Sequence, residues 1–289
     1  MPFAIARDRT RLHYEQSGKG TPLIFVHEFS GDCRSWEAQL RFFSRRYRCI
    51  AFNARGYPPS DVPLAHAKYS WRIAVDDIAD VLRHLRIRKA HVVGCSMGAY
   101  SALQFGMRYP AMALSVTALG AGAGSDPATR KAFLKTTETH ARLFESIGTV
   151  AALKQRGFSA GRFPQMLKDP RGFAEFRRIH ESHSGTGLAR ILRGVQAKRP
   201  PVYALERGLR VYRPPLLVMC GDEDDSSIGP ALFIKRACRN ARLWICPATG
   251  HTVNTEEPEL FNRNLLDFLT LVDGGRWQPR DPRSRVKPA

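Results

Sequence analysis

The stretch His91-Val92-Val93-Gly94-Cys95-Ser96-Met97-Gly98-Ala99-Tyr100 decides how the rest of the chain is read. Ala90–Gly94 is an apolar run of strand length, and Ala99–Tyr109 is a small-residue segment of helix length, so Ser96 falls on a sharp strand-to-helix turn. Glycines two before and two after the serine leave room for neighbouring backbone to approach. A serine held there lifts its hydroxyl above the sheet edge. The same turn puts the Met97 amide at a helix N-terminus, where an unpaired donor and the helix dipole favour a developing oxyanion.

Outward from this turn, strand-like and helix-like segments alternate. Phe3–Ala6 and Arg11–Gln16 alternate apolar and polar residues like an antiparallel hairpin, and Pro22–Val26, Cys49–Asn53 and Ala113–Leu119 read as further strands. Amphipathic stretches at Trp36–Phe43 and Ser70–Leu85 fall between them. The rhythm stops over residues 125–213, where helical patches (Arg130–Phe144, Val150–Arg156, Gly172–Ser182, Leu188–Gln196) occur without a buried strand. It resumes with strands at Leu216–Cys220 and Leu243–Cys246 and helices at Pro230–Ala237 and Glu259–Leu271. The expected fold class is α/β: a mostly parallel, doubly wound sheet with an inserted all-helical cap. Residues 1–124 and 214–273 make the core and 125–213 the cap. The basic, Pro- and Gly-rich tail 274–289 is expected to be disordered.

Composition narrows the function classes. At 289 residues, 43% hydrophobic and 25% charged, the chain is globular, which excludes a fibre, a coiled-coil rod and wholesale disorder. Its longest apolar stretches, such as Pro22–Val26 and Pro214–Cys220, are too short to span a bilayer, and Met1–Asp8 has no export-leader pattern, so a cytoplasmic protein without a membrane is expected. The six cysteines lack C-x-x-C spacing and read as free core thiols. The net charge of +19 comes from 35 Arg and 10 Lys against 26 acids, with 18 basic and 7 acidic side chains in residues 125–213. No basic run is interleaved with aromatics as a base-stacking platform would be, so nucleic acid is not an expected partner.

A serine hydroxyl is a weak nucleophile until a base takes its proton, and the base needs an acid to fix its tautomer. His251 lies just past the strand Leu243–Cys246, and Asp224 just past Leu216–Cys220. The order Ser96, Asp224, His251 places all three at strand ends.

With these motifs, together with the His27-Glu28-Phe29 loop and the Asn53–Asp61 loop, the sequence resembles a serine-type α/β-hydrolase over residues 1–273. The resemblance implies an oxyanion hole made by the amides of Phe29 and Met97, His27 as a brace for that loop, and a cap that roofs the pocket. It implies no cofactor and no metal. The implied function is acyl-enzyme hydrolysis of a small ester, lactone or related carbonyl substrate. Carbon–carbon bond hydrolysis and a receptor-like ligand binder with little turnover are the alternatives. The basic cap, with Arg190, Arg193 and Arg199 foremost, points to carboxylate-bearing small-molecule substrates. Two departures stand out. Glu28 replaces the family's usual Gly and is expected to point outward toward Arg34 or Arg55, since an unpaired buried carboxylate is costly. Asp222 and Asp126 are alternative acids beside Asp224. His180 and His183 are expected to be an incidental surface pair, and Lys198–Pro201 a solvated turn.

Overall fold

The computed structural model describes residues 1–284. β1 (Phe3–Ile5), β2 (Arg11–Ser17) and β3 (Thr21–Val26) lead through a 3-10 turn to α1 (Glu37–Phe43). β4 (Tyr47–Phe52), α2 (Trp71–His84), β5 (Ala90–Cys95), α3 (Met97–Arg108) and β6 (Ala113–Leu119) follow. Between β6 and the next strand, the described chain forms helices and turns alone: α4 (Arg130–Arg156), α5 (Phe163–Lys168), α6 (Pro170–Glu181), α7 (Gly185–Ile191) and α8 (Glu206–Arg210). β7 (Leu216–Gly221), α9 (Asp225–Ala237), β8 (Ala241–Cys246), α10 (Val253–Glu256) and α11 (Pro258–Asp273) complete the order.

The eight strands form one sheet in the order β1-β2-β4-β3-β5-β6-β7-β8. β1 pairs antiparallel with β2, and β2 with β4, while every later pairing is parallel. Every residue of β5 and β7 is buried, as continuous apolar runs covered on both faces must be. One face packs on α2, α3 and α9 through residues such as Ile24, Val92, Leu103 and Ile234. The other packs on α1 and α11 through Phe25, Trp36, Phe43 and Phe261. β4 and β5 are added on opposite sides of β3, so the order of strand addition reverses there and the carboxyl ends of β3 and β5 open a crevice, the usual ligand position in such sheets. A third apolar cluster fills the space above this edge, joining Tyr57 and Met97 to Phe144, Leu153 and Leu188 of the helical insertion.

Some boundaries differ from those the periodicity suggests. α4 is a single run interrupted at Gly148, where φ of 74° breaks the helix between the two expected patches. α9 begins at Asp225 and carries Pro230 inside it, so the proline does not mark its start. α5 has six residues, too few for a hydrophobic period to register. In the described part of the tail, Trp277 packs edge-on against Phe268 and donates its indole N–H to the Asn240 carbonyl at 3.0 Å. Residues 285–289 lie outside the described residues. The described cysteines are all buried and free, and among the described residues no helix is long and apolar enough to cross a membrane.

Candidate active site

Ser96 sits directly after β5 with φ 53° and ψ −111°, a left-handed conformation that an L-residue adopts only under constraint. The constraint is close packing. A Cβ on Gly94 would lie 2.2 Å from the Gly98 carbonyl oxygen, and one on Gly98 would lie 2.1 Å from the Val26 carbonyl oxygen. Only glycine at both positions lets the start of α3 press against the ends of β3 and β5.

The loops after β7 and β8 bring Asp224 and His251 to this serine. His251 Nε2 lies 2.8 Å from Ser96 Oγ, and Nδ1 lies 2.6 Å from Asp224 Oδ2. A carboxylate only accepts, so Nδ1 donates to Asp224 and Nε2 is left to accept the serine hydroxyl proton. Ser226 Oγ donates to the other Asp224 oxygen at 2.8 Å. Burial would raise the Asp224 pKa, but the charge and hydrogen bond of His251 outweigh it and hold the carboxyl below its ordinary value. Burial likewise acts to lower His251, yet Asp224 outweighs it and the imidazole is raised above its usual pKa.

Neither alternative acid reaches the imidazole. Asp222 Oδ1 accepts the Thr249 amide at 3.1 Å, and Asp126 Oδ1 accepts the Ala128 amide at 2.9 Å in an exposed turn. Of the five residues singled out for base, acid or nucleophile, the fold joins Ser96, His251 and Asp224 and leaves Asp222 and Asp126 apart.

Met97 is the first residue of α3, so its amide has no acceptor within the helix. Phe29 lies in the loop after β3, its carbonyl held by the Tyr57 hydroxyl at 2.8 Å. His27 braces the same loop: Nε2 accepts the Ala54 amide at 3.0 Å, which leaves Nδ1 to donate to the Glu28 carbonyl at 2.6 Å. Burial lowers the His27 pKa, in keeping with this neutral tautomer. The Ala54 loop is anchored in turn by Arg55, buried against Asp77 at 2.7 Å and Asp8 at 2.9 Å.

Glu28 departs from expectation. It is buried rather than outward, and its partner is Arg162 of the helical insertion. Arg34 instead pairs with Asp32, and Arg55 with Asp77 and Asp8. Arg162 is the residue near the site that sequence reading missed, because 134 positions separate it from Glu28 and no local pattern marks it. His180 and His183 are likewise not a surface pair: both are buried, His180 against Phe29, Phe144 and Phe176, and His183 against Tyr57. Burial depresses both, His183 to about 4, so both rings are neutral.

A cavity of about 300 Å³ opens beside His251, bordered by Ala123, Ser159, Gly161, Glu223 and Asp225. His13 and Glu15 of β2, with Cys33, form a group of possible metal ligands whose ligand atoms lie within 4.8 Å of one another. There burial and the adjacent Asp32 push the Cys33 thiol far up.

The comparisons agree with this architecture. A 2-(acetamidomethylene)succinate hydrolase of Mesorhizobium japonicum is 25% identical over 269 residues, spanning 90% of this chain and 92% of that protein. Epoxide hydrolase 4 of Mus musculus is 27% identical over 286 residues, spanning 90% of this chain and 76% of that one. The solved structure of a thermophilic esterase from Thermogutta terrifontis superposes with a TM-score of 0.81 at 23% identity, covering 94% of this chain and 98% of its own. The profile described as "Alpha/beta hydrolase family" matches residues 23–264, from the third strand into the last helix, and the chain belongs to that family.

Proposed function

We propose that the protein is a serine hydrolase that acts through an acyl-enzyme on a small ester, lactone or related carbonyl substrate. That it is a hydrolase follows from the family and its relatives. The observation that carries the serine mechanism is the unbroken hydrogen-bonded series Ser96–His251–Asp224, with the serine at a helix N-terminus. In the first step His251 Nε2 takes the Ser96 proton as Oγ bonds to the substrate carbonyl carbon, and Asp224 stabilises the imidazolium. The amides of Met97 and Phe29 receive the negative charge that builds on the carbonyl oxygen. His251 then gives its proton to the leaving group, and the same residue activates a water that frees the acid and restores Ser96. Displacement at an epoxide carbon calls for a carboxylate nucleophile; a hydroxyl with a neutral base beside it suits acyl transfer.

The helical insertion 125–213 roofs the site in this reading. Two of the three arginines singled out there as a draw for carboxylate-bearing substrates have partners within the protein. Arg193 is neutralised by Glu138 and Glu145, and Arg199 is buried over Tyr100 with one N–H on the Ala123 carbonyl. The charges bordering the cavity beside His251 are acidic, Glu223 and Asp225.

The test is a fluorophosphonate probe with intact-mass readout, followed by turnover of p-nitrophenyl esters, lactones and diketones. An adduct on Ser96 with ester or lactone turnover is the expected result. No adduct would sink the acyl-enzyme reading, and an adduct without turnover of any substrate would leave the receptor-like binder.

A further inference from the structure

Glu28 and Arg162 form a buried ion pair that the steps of acyl transfer do not themselves call for. Glu28 stands between His27 and Phe29 in the loop after β3, and Arg162 ends the short turn Ala160–Arg162 between α4 and α5. Besides its contact with Glu28, Arg162 donates to Thr252 Oγ1 at 2.7 Å, next to His251, and to Gln165 Oε1 at 3.0 Å. Its guanidinium lies over the Phe176 ring at 3.9 Å from the centroid. The preceding residue makes its own contact: the Gly161 carbonyl accepts the His251 amide at 2.8 Å. Packing is close on this side of the imidazole. A Cβ on Gly161 would lie 3.1 Å from His251 Cβ, and one on Gly250 would lie 2.3 Å from the Gly161 carbonyl oxygen.

One turn of the insertion therefore grips both halves of the site, the loop with the Phe29 amide and the loop with His251. The electrostatics give the grip a further purpose. A buried carboxylate one residue from an oxyanion donor opposes the negative charge of the transition state, and a cation in contact with it cancels that opposition. The charged groups acting on His251 are Asp224 and Glu28, which favour the imidazolium, and Arg162, which disfavours it. Glu256, held by the Gly250 amide and Lys168, is the neighbouring acid on the side of α10.

We propose that Arg162 is a positioning residue for the reaction: it neutralises Glu28 and, with Gly161, fixes the oxyanion loop and the His251 loop to the helical insertion. The proposal rests on the acyl-enzyme reading and makes the insertion part of the catalytic geometry as well as a roof. The insertion supplies the cation that offsets the Glu28 carboxylate.

The experiment compares wild type, Arg162→Met, Glu28→Gln and the double variant on a p-nitrophenyl ester, with kcat and KM measured across pH. Arg162→Met should lower kcat by about 100-fold with a smaller effect on KM, as misplacement of reacting groups does. Its activity limb should move to higher pH, because Glu28 then acts on His251 unopposed. Glu28→Gln should move the limb to lower pH, because Arg162 is the charge left behind. The double variant should return the limb to near its wild-type position and recover about tenfold or more of the kcat lost in Arg162→Met. Shifts of the same sign in the two single variants, or a double variant whose kcat is no better than that of Arg162→Met, overturn the proposal. If Arg162→Met fails to fold by circular dichroism, the limb's move to lower pH in Glu28→Gln and its return in the double variant decide the matter. Wild type labelled at Ser96 with non-compensating variants overturns the positioning role alone, whereas unlabelled wild type overturns both readings.

Discussion

Ser96 Oγ lies 2.8 Å from His251 Nε2, although 155 positions separate the two residues in the chain. The contact exists because β5 and β8 end at the same edge of one sheet. Replacing Ser96 by Ala should abolish fluorophosphonate labelling and lower kcat by several orders of magnitude, leaving only binding and oxyanion contributions. Ester turnover unchanged in this variant would exclude Ser96 as nucleophile.

The acid can be ranked by three parallel substitutions. Asp224→Asn leaves Nδ1 facing an amide in place of a carboxylate and should lower kcat by about 10³-fold or more. Asp222→Asn and Asp126→Asn remove carboxylates that accept from backbone amides, Thr249 and Ala128 among them, and each should change kcat by less than about threefold. Comparable losses at Asp126 and Asp224 would contradict the assignment.

The proposed mechanism needs His251 neutral, and Asp224 raises its pKa despite the opposing effect of burial. kcat/KM should therefore rise with pH through an apparent pKa above about 6.5, the ordinary imidazole value, and level off above it. A profile flat from about pH 5 to 8, with chemistry shown to be rate-limiting, would argue against His251 as the base.

Gly98→Ala places a methyl group against the Val26 carbonyl oxygen, where backbone on both sides leaves nothing to swing away. Forced separation of α3 from β3 should destabilise the fold by about 1–3 kcal/mol and lower turnover together. Urea unfolding followed by circular dichroism measures the first effect, and a midpoint equal to wild type would show that the turn has slack.

Matched carboxylate and amide substrates of equal size test the charge of the insertion. With Arg193 already paired and acids beside the His251 cavity, the carboxylate should gain no advantage, and its kcat/KM should change little between low and high salt. A carboxylate favoured more than about tenfold at low salt alone would restore electrostatic capture.

The eight strands and the turn at Ser96 were legible in the sequence because each depends on residues near one another in the chain. Pro22–Val26 and Ala90–Gly94 are apolar runs of strand length, and Gly94 and Gly98 flank the serine at fixed spacing. His251 was legible for the same reason, as a histidine between a strand and a helix start. The choice of Asp224 over Asp222 and Asp126 was not, since all three stand just past strands and only the direction of each side chain separates them. The burial of His180 and His183 depended on where α6 settles against Phe29 and Tyr57, which no helical period encodes. The pairing of Glu28 with Arg162 likewise became visible only in three dimensions. Local backbone preference and hydrophobic period act over a few residues. The partner of a buried charge is set by which loops the closed sheet and the seated insertion bring together.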